Sequence, residues 1–132
     1  MVKFPNLILR AINTIKSDCL GVTFCQACYK LMGEDLEKTI AELAEKIFFV
    51  HFRSVRGNKM NFRETFHDDG EIDMPSVMRA YVRAGVNVPV RVDHVPTLKG
   101  ENPRAAGYGS LGRLYAIGYL KGILQTLEEL YD

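Results

Sequence analysis

The sequence is poor in cysteine, carries almost no net charge and has no long apolar run. Its 132 residues include only 3 cysteines, Cys19, Cys25 and Cys28. An odd number spaced so closely does not build a secreted disulfide framework. Cys25-Gln26-Ala27-Cys28 is a C-x-x-C, but no second pair completes a zinc ribbon, and a redox role asks for the first cysteine at a helix start. The 17 Lys and Arg are balanced by 16 Asp and Glu, leaving a net charge of +1. With the basic residues scattered among acids, nothing electrostatic marks the chain for nucleic acid or an anionic membrane. No apolar stretch approaches bilayer-spanning length, and the N-terminus has no signal-peptide pattern. Low-complexity segments and internal repeats are absent. The expectation is a cytoplasmic chain with reduced thiols, of ordinary single-domain size and average composition, 47% hydrophobic and 25% charged.

What is present alternates between helical and extended patterns. After a lead-in over residues 1–6, Leu7 to Lys16 has Ile8, Ala11, Ile12 and Ile15 at helical spacing. Leu20 to Cys25 reads as a strand, followed by a polar turn. A helix is expected from Asp35 to Lys46, striped with Leu36, Ile40, Leu43, Ala44 and Ile47 and with acids near its positive start. Phe48 to Phe52 is a second strand. The connection from Arg53 to Ile72 is long for an irregular loop and contains His67-Asp68-Asp69. Asp73-Met74-Pro75 is a helix start, and Gly85 is its closing residue. Val88 to Asp93 is the third strand, Val95 to Gly109 a second irregular connection, and Ser110 to Tyr131 the last helix. The small residues Gly112, Ala116, Gly118 and Gly122 would let that helix lie close to a neighbour.

This order, α-β-α-β-α-β-α, gives a parallel sheet with right-handed crossovers. Three strands cannot close a barrel, which needs eight strands and typically about 250 residues. Both outer strands would be edges although their side chains read as buried, so the chain looks like part of something larger.

Each strand ends in a residue with ligand chemistry: Cys25 on the first, His51 and Arg53 on the second, Asp93 and His94 on the third. Chemistry in α/β folds sits just past the strands' carboxyl ends, and three such endings suggest a metal site. Taken singly, each has an ordinary role. A strand-end cysteine is usually a small core hydrophobe, a strand-end histidine makes ordinary hydrogen bonds, and Asp93-His94 could serve as a cap and loop pair. Tyr108 could be a half-buried loop aromatic.

Longer strings carry a family resemblance. Phe24-Cys25-Gln26, Val50-His51-Phe52-Arg53, Phe62 through Gly70, Asp93-His94-Val95-Pro96, Gly107-Tyr108 and Leu111-Gly112-Arg113-Leu114 resemble mannonate dehydratase, in order and from about Leu7 to Leu130. The departures are Ala27 and Val92, where the family more often has glycine and proline. The resemblance implies an α/β fold of parallel (βα) units. Residues 1–132 would be a single partial barrel domain, the last three strands and helices of a xylose-isomerase-like TIM barrel, incomplete in this chain.

It also implies a hydro-lyase that removes water from D-mannonate to give 2-keto-3-deoxy-D-gluconate in glucuronate catabolism, with Mn²⁺ or Fe²⁺ as cofactor. Carried over by motif, Cys25, His51 and Asp93 are metal ligands, and His94 and Tyr108 an acid/base pair whose two roles the motif leaves open. A further histidine ligand of the family, on an earlier strand, has no counterpart here. Proton removal beside a carboxylate suits an imidazole base and a Lewis-acidic metal, and a mixed Cys/His/Asp set suits iron or manganese. Arg53, His67 and Asp68 are candidate substrate contacts, with His67 and Asp68 alternatively organising their loop. Cys19 and Cys28 are read as non-catalytic. The expected partners are the sugar-acid substrate and either self-association or the missing part of the barrel. The alternatives are a non-catalytic remnant or interaction module of this barrel family, or a related metal-dependent sugar isomerase or epimerase.

Overall fold

The computed structural model describes residues 4–131. Helix α1 (Phe4–Ile15) leads into strand β1 (Val22–Cys25), then helix α2 (Gln26–Leu31) and helix α3 (Leu36–Leu43), which tightens into a 3₁₀ turn at Ala44–Lys46. Strand β2 (Ile47–His51) is followed by a hairpin of β3 (Val55–Asn58) and β4 (Asn61–Glu64). Helix α4 (Met74–Arg83), the short strand β5 (Val90–Arg91) and the long helix α5 (Ser110–Tyr131) complete the order. Of the expected lead-in, residues 1–3 lie outside the described residues, and residues 4–6 already belong to α1.

β1, β2 and β5 form a parallel sheet in the order β1-β2-β5. The register is what places the site: Cys25 pairs with His51, and His51 with Arg91. Three strand ends are thereby brought level at one edge of the sheet. The helix starts are built as the sequence indicates. Asp35 accepts from Lys38 N at 3.1 Å and Asp73 from Ser76 N at 2.9 Å, each satisfying an amide that the helix leaves unpaired.

The core lies between the sheet and helices α3, α4 and the C-terminal half of α5. Phe24, Ile40, Leu43, Val50, Phe52 and Met74 are enclosed, and Phe24 stacks on Tyr29 at 4.3 Å with Tyr81 edge-on at 6.0 Å. A smaller cluster of Val92, Val95 and Ala116 ties the end of β5 to the start of α5.

Four expectations change. The polar turn after Cys25 is helix α2, with Cys25 as its N-cap. The connection from Arg53 to Ile72 holds the β3–β4 hairpin, which turns at Lys59-Met60 with Asn58 Oδ1 accepting from Met60 N and Asn61 N at 3.0 and 3.1 Å. The third strand shrinks to Val90–Arg91, because Pro89 has no N–H to donate and Asp93 turns into the left-handed region at φ +46°. On α1 and α5, Ala11, Ile15, Leu111 and Leu114 are exposed rather than inward, and Gly118 and Gly122 face open space. Gly112 alone among those glycines meets a close neighbour, Val95.

Candidate metal centre and acid/base pair

The parallel register sets Cys25 beside His51, and Asp93, two residues past the end of β5 and with a left-handed backbone, is brought beside them. One donor atom from each of Cys25, His51 and Asp93 can be chosen so that all three lie within 4.8 Å of one another. Among the described residues this is the group of histidine, cysteine and carboxylate donors with that spacing. Asp93 is buried, and its left-handed backbone is a conformation in which a side chain is held at a cost, a feature that clusters at functional sites.

Asp93 is surrounded by positive and polar groups. His51 Nδ1 is 3.6 Å from Oδ2, Arg53 Nη1 3.9 Å from the same oxygen, and Arg91 Nη2 3.4 Å from Oδ1. Arg53 Nη1 also lies 3.8 Å from Cys25 Sγ and 4.0 Å from Cys28 Sγ. The donor set therefore fits a cation on an observation of its own: a guanidinium already rests against two of the three donors. Soft sulfur with imidazole and carboxylate is a combination that iron and manganese accept. The hydrogen bond from Cys28, helped by the Arg53 charge, outweighs burial and lowers the Cys25 thiol from 9.0 to about 5. Giving that hydrogen bond raises Cys28 in turn.

Beside this triad, His94 Nε2 is 2.7 Å from the Tyr108 hydroxyl, with the rings edge to face at 4.7 Å. Two devices hold Tyr108 there. Val95 N donates to Gly107 O at 3.0 Å, pinning the loop across His94, and Gly107 at φ +83° makes the turn that a side chain would strain. Glu101 accepts from Leu98 N at 2.8 Å and from Leu111 N at 3.0 Å, joining that loop to the first turn of α5. Arg91 lies over the Tyr108 ring at 5.2 Å.

Glu64 is the site residue that sequence reasoning missed. The hairpin carries it back to Arg53, with which it makes a two-pronged ion pair through Nε and Nη2. Its Oε1 is also 3.3 Å from His94 Nδ1, so one carboxylate links the Arg53 cation to the imidazole. The available signal was an acid eleven positions from an arginine with Gly57-Asn58 between them, but it becomes visible only once the hairpin is drawn.

The other candidates separate. Arg53 is at the centre of the site and nearly buried. His67 is fully enclosed with a ring nitrogen on the Phe52 carbonyl, bracing the chain just past β2, and burial lowers its pKa from 6.5. Asp68 is exposed, and its carboxylate raises the pKa of the Tyr115 hydroxyl on α5. The structure thus brings Cys25, His51, Arg53, Asp93, His94 and Tyr108 together, while His67 is buried against the Phe52 carbonyl and Asp68 is exposed.

A family model for D-mannonate dehydratase (UxuA) matches residues 2–132. The chain belongs to the D-mannonate dehydratase family. It is 32% identical over 127 residues to a mannonate dehydratase of Brachyspira hyodysenteriae, covering 93% of this chain and 36% of that protein. To mannonate dehydratase 1 of Halalkalibacterium halodurans it is 33% identical over 128 residues, covering 92% and 34%. The crystal structure of mannonate dehydratase from Streptococcus suis serotype 2 superposes with a TM-score of 0.80 at 27% identity, over 90% of this chain and 36% of that one. Against these family members the chain spans about a third of their length, and its mixed α/β architecture with parallel strands matches part of the Streptococcus suis structure.

Proposed function

We propose that this chain supplies the last three strands and helices of a xylose-isomerase-like (β/α) barrel that dehydrates D-mannonate to 2-keto-3-deoxy-D-gluconate. Residues 1–132 would be one partial domain of that barrel. The observation that carries the reading is the juxtaposition of the Cys25–His51–Asp93 donors with the His94–Tyr108 pair at one edge of a parallel sheet. Support for the barrel comes from β1 and β5, whose outer edges have no partner among the described strands. Val90 on β5 and Leu111, Leu114 and Ile117 on α5 are exposed, apolar surface suited to the rest of a barrel or to a second copy.

Cys25, His51 and Asp93 would hold Mn²⁺ or Fe²⁺, which when bound supplies Lewis acidity to the substrate carboxylate. The chain's own residues account for the proton traffic. With its proton on Nδ1, neutral His94 donates to Glu64 and accepts at Nε2 from the Tyr108 hydroxyl. That places one proton acceptor and one proton donor in contact, the pair that removal of a C2 proton and departure of a C3 hydroxyl as water requires. Arg53 fixes Glu64 and so the imidazole's orientation.

The test is D-mannonate dehydration with added Mn²⁺, by the chain alone and after mixing with the N-terminal part of a homologous barrel. Turnover in the mixture that His94→Ala abolishes is the expected result. A folded mixture without turnover would overturn the proposal and leave the non-catalytic remnant as the better reading.

A further inference from the structure

We propose that the groove between the outer edge of β5 and helix α5 docks an extended polypeptide segment whose acidic side chain pairs with Arg113. On the function proposed above that segment belongs to the rest of the barrel, and in this the inference rests on that reading.

Arg113 belongs to the Leu111-Gly112-Arg113-Leu114 string, to which neither the metal donors nor the acid/base pair gives a role. A Cβ on Gly112 would lie 2.9 Å from the Val95 side chain, so α5 is seated closely on the chain that leaves β5. Arg113 and Arg91 then line one cavity of about 250 Å³, walled by Val90, Ile117 and Leu120. The Nε of each arginine is enclosed and has no acceptor. A buried donor left unmatched is costly, more so on a cation, and native structures seldom leave one standing. Arg91 has other company, with Asp93 at 3.4 Å and the Tyr108 ring at 5.2 Å. Arg113 has no ion pair among the described residues. A carboxylate in the groove would give its guanidinium a two-pronged acceptor.

The backbone sets the shape of the occupant. Val50 N and Phe52 N donate to the carbonyls of Pro89 and Arg91 at 3.1 and 2.7 Å, which turns the N–H and C=O of Val90 to the outer side. Among the described strands β5 has no neighbour there, and the Val90 side chain is 43% exposed. An extended segment meets both demands, pairing its backbone with Val90 and its side chain with Arg113. The apolar walls suit the stem of an acidic side chain and its strand neighbours. A free sugar acid would instead bury hydroxyls against Val90, Ile117 and Leu120.

Charge argues against a second copy as the occupant. Two-fold pairing through β5 would bring the same cationic groove of each copy together, like charge on like. Head-to-tail pairing would offer the other open edge, β1, whose Val22-Thr23-Phe24-Cys25 contains no acid.

The experiment coexpresses the tagged N-terminal part of a homologous barrel with both the unaltered chain and Arg113→Met, so that neither part has to fold alone. The two forms differ in mass. Their ratio in the captured complex, relative to that in the soluble lysate, is read by mass spectrometry. The expected result is a preference of about thirtyfold or more for the unaltered chain, with Arg113→Lys between the two. Hydrogen exchange at the Val90 amide should slow in the complex. Arg113→Glu should be lost from the complex and restored when one Asp or Glu of the partner is changed to Arg, a gain that a misfolded variant could not give. Capture of neither form would overturn this proposal and the barrel reading together. Equal capture of both forms would overturn this proposal alone. So would a Val90 amide that exchanges as fast in the complex, or an Arg113→Glu chain that no such change in the partner restores.

Discussion

Arg53→Met tests whether the centre of the site is held by the charge of one residue. The Arg53 side chain is 8% exposed, paired with Glu64 at 24% and lying 3.9 Å from Asp93 at 5%. At an effective dielectric constant of about 20, a unit pair at the Asp93 distance is worth about 4 kcal/mol of attraction. Desolvation of the guanidinium offsets much of this, and the net figure is set by what its removal strands. Breaking a buried pair by deleting one partner costs about 3–5 kcal/mol. Glu64 keeps some access to water and Arg91 remains 3.4 Å from Asp93, which argues for a smaller loss. The expected destabilisation is about 2–3 kcal/mol. In urea unfolding followed by far-ultraviolet circular dichroism, this lowers the midpoint by about 1–2 M with the slope unchanged. Arg53→Met combined with Glu64→Leu should recover part of the loss, because the stranded carboxylate goes with its partner. An Arg53→Met chain within about 0.5 kcal/mol of the original, or losses in the double variant that simply add, would refute the reasoning.

The remaining predictions concern the buried histidine and the core. His67 is held neutral by burial, with its pKa below the ordinary 6.5, so as pH falls below that value the unfolded chain takes up a proton that the folded chain refuses. Stability is therefore full above that pH and declines beneath it; His67→Gln should flatten the slope of urea midpoint against pH, and an unchanged slope would contradict the assignment. Phe24→Ala removes a fully enclosed ring between Tyr29 and Tyr81 and should cost about 3–5 kcal/mol, seen as a large fall in the unfolding midpoint. A loss below about 1 kcal/mol would mean that the aromatic cluster is not a core.

The parallel order and the cluster of donor-type residues at the strand ends were legible because buried strands of this kind are short apolar runs, and each run here is followed closely by a chemically distinct residue. Asp35, Asp73 and Gly85 marked helix ends by side-chain and backbone chemistry that needs no tertiary context. The β3–β4 hairpin was not legible. Its strand residues Arg56, Gly57, Asn58, Asn61, Phe62 and Arg63 are exposed, so no alternation of apolar and polar residues signals a sheet, and with the hairpin went Glu64. Helix α2 was hidden for a different reason: six residues are too few to show a helical period, and Gln26 is buried where a polar turn was expected. Within α5, Leu111 and Leu114 look like core residues because the apolar pattern serves a surface that this chain does not itself cover.

Titration of the chain with Mn²⁺, with unbound ion followed by electron paramagnetic resonance, tests the central claim most directly. The account predicts one site per chain, with binding weakened about tenfold or more by each of Cys25→Ser, His51→Gln and Asp93→Asn, and unaffected by Cys19→Ser. Binding that persists unchanged in the three ligand variants, or that is equally weak in the unaltered chain, would contradict a metal centre at Cys25, His51 and Asp93.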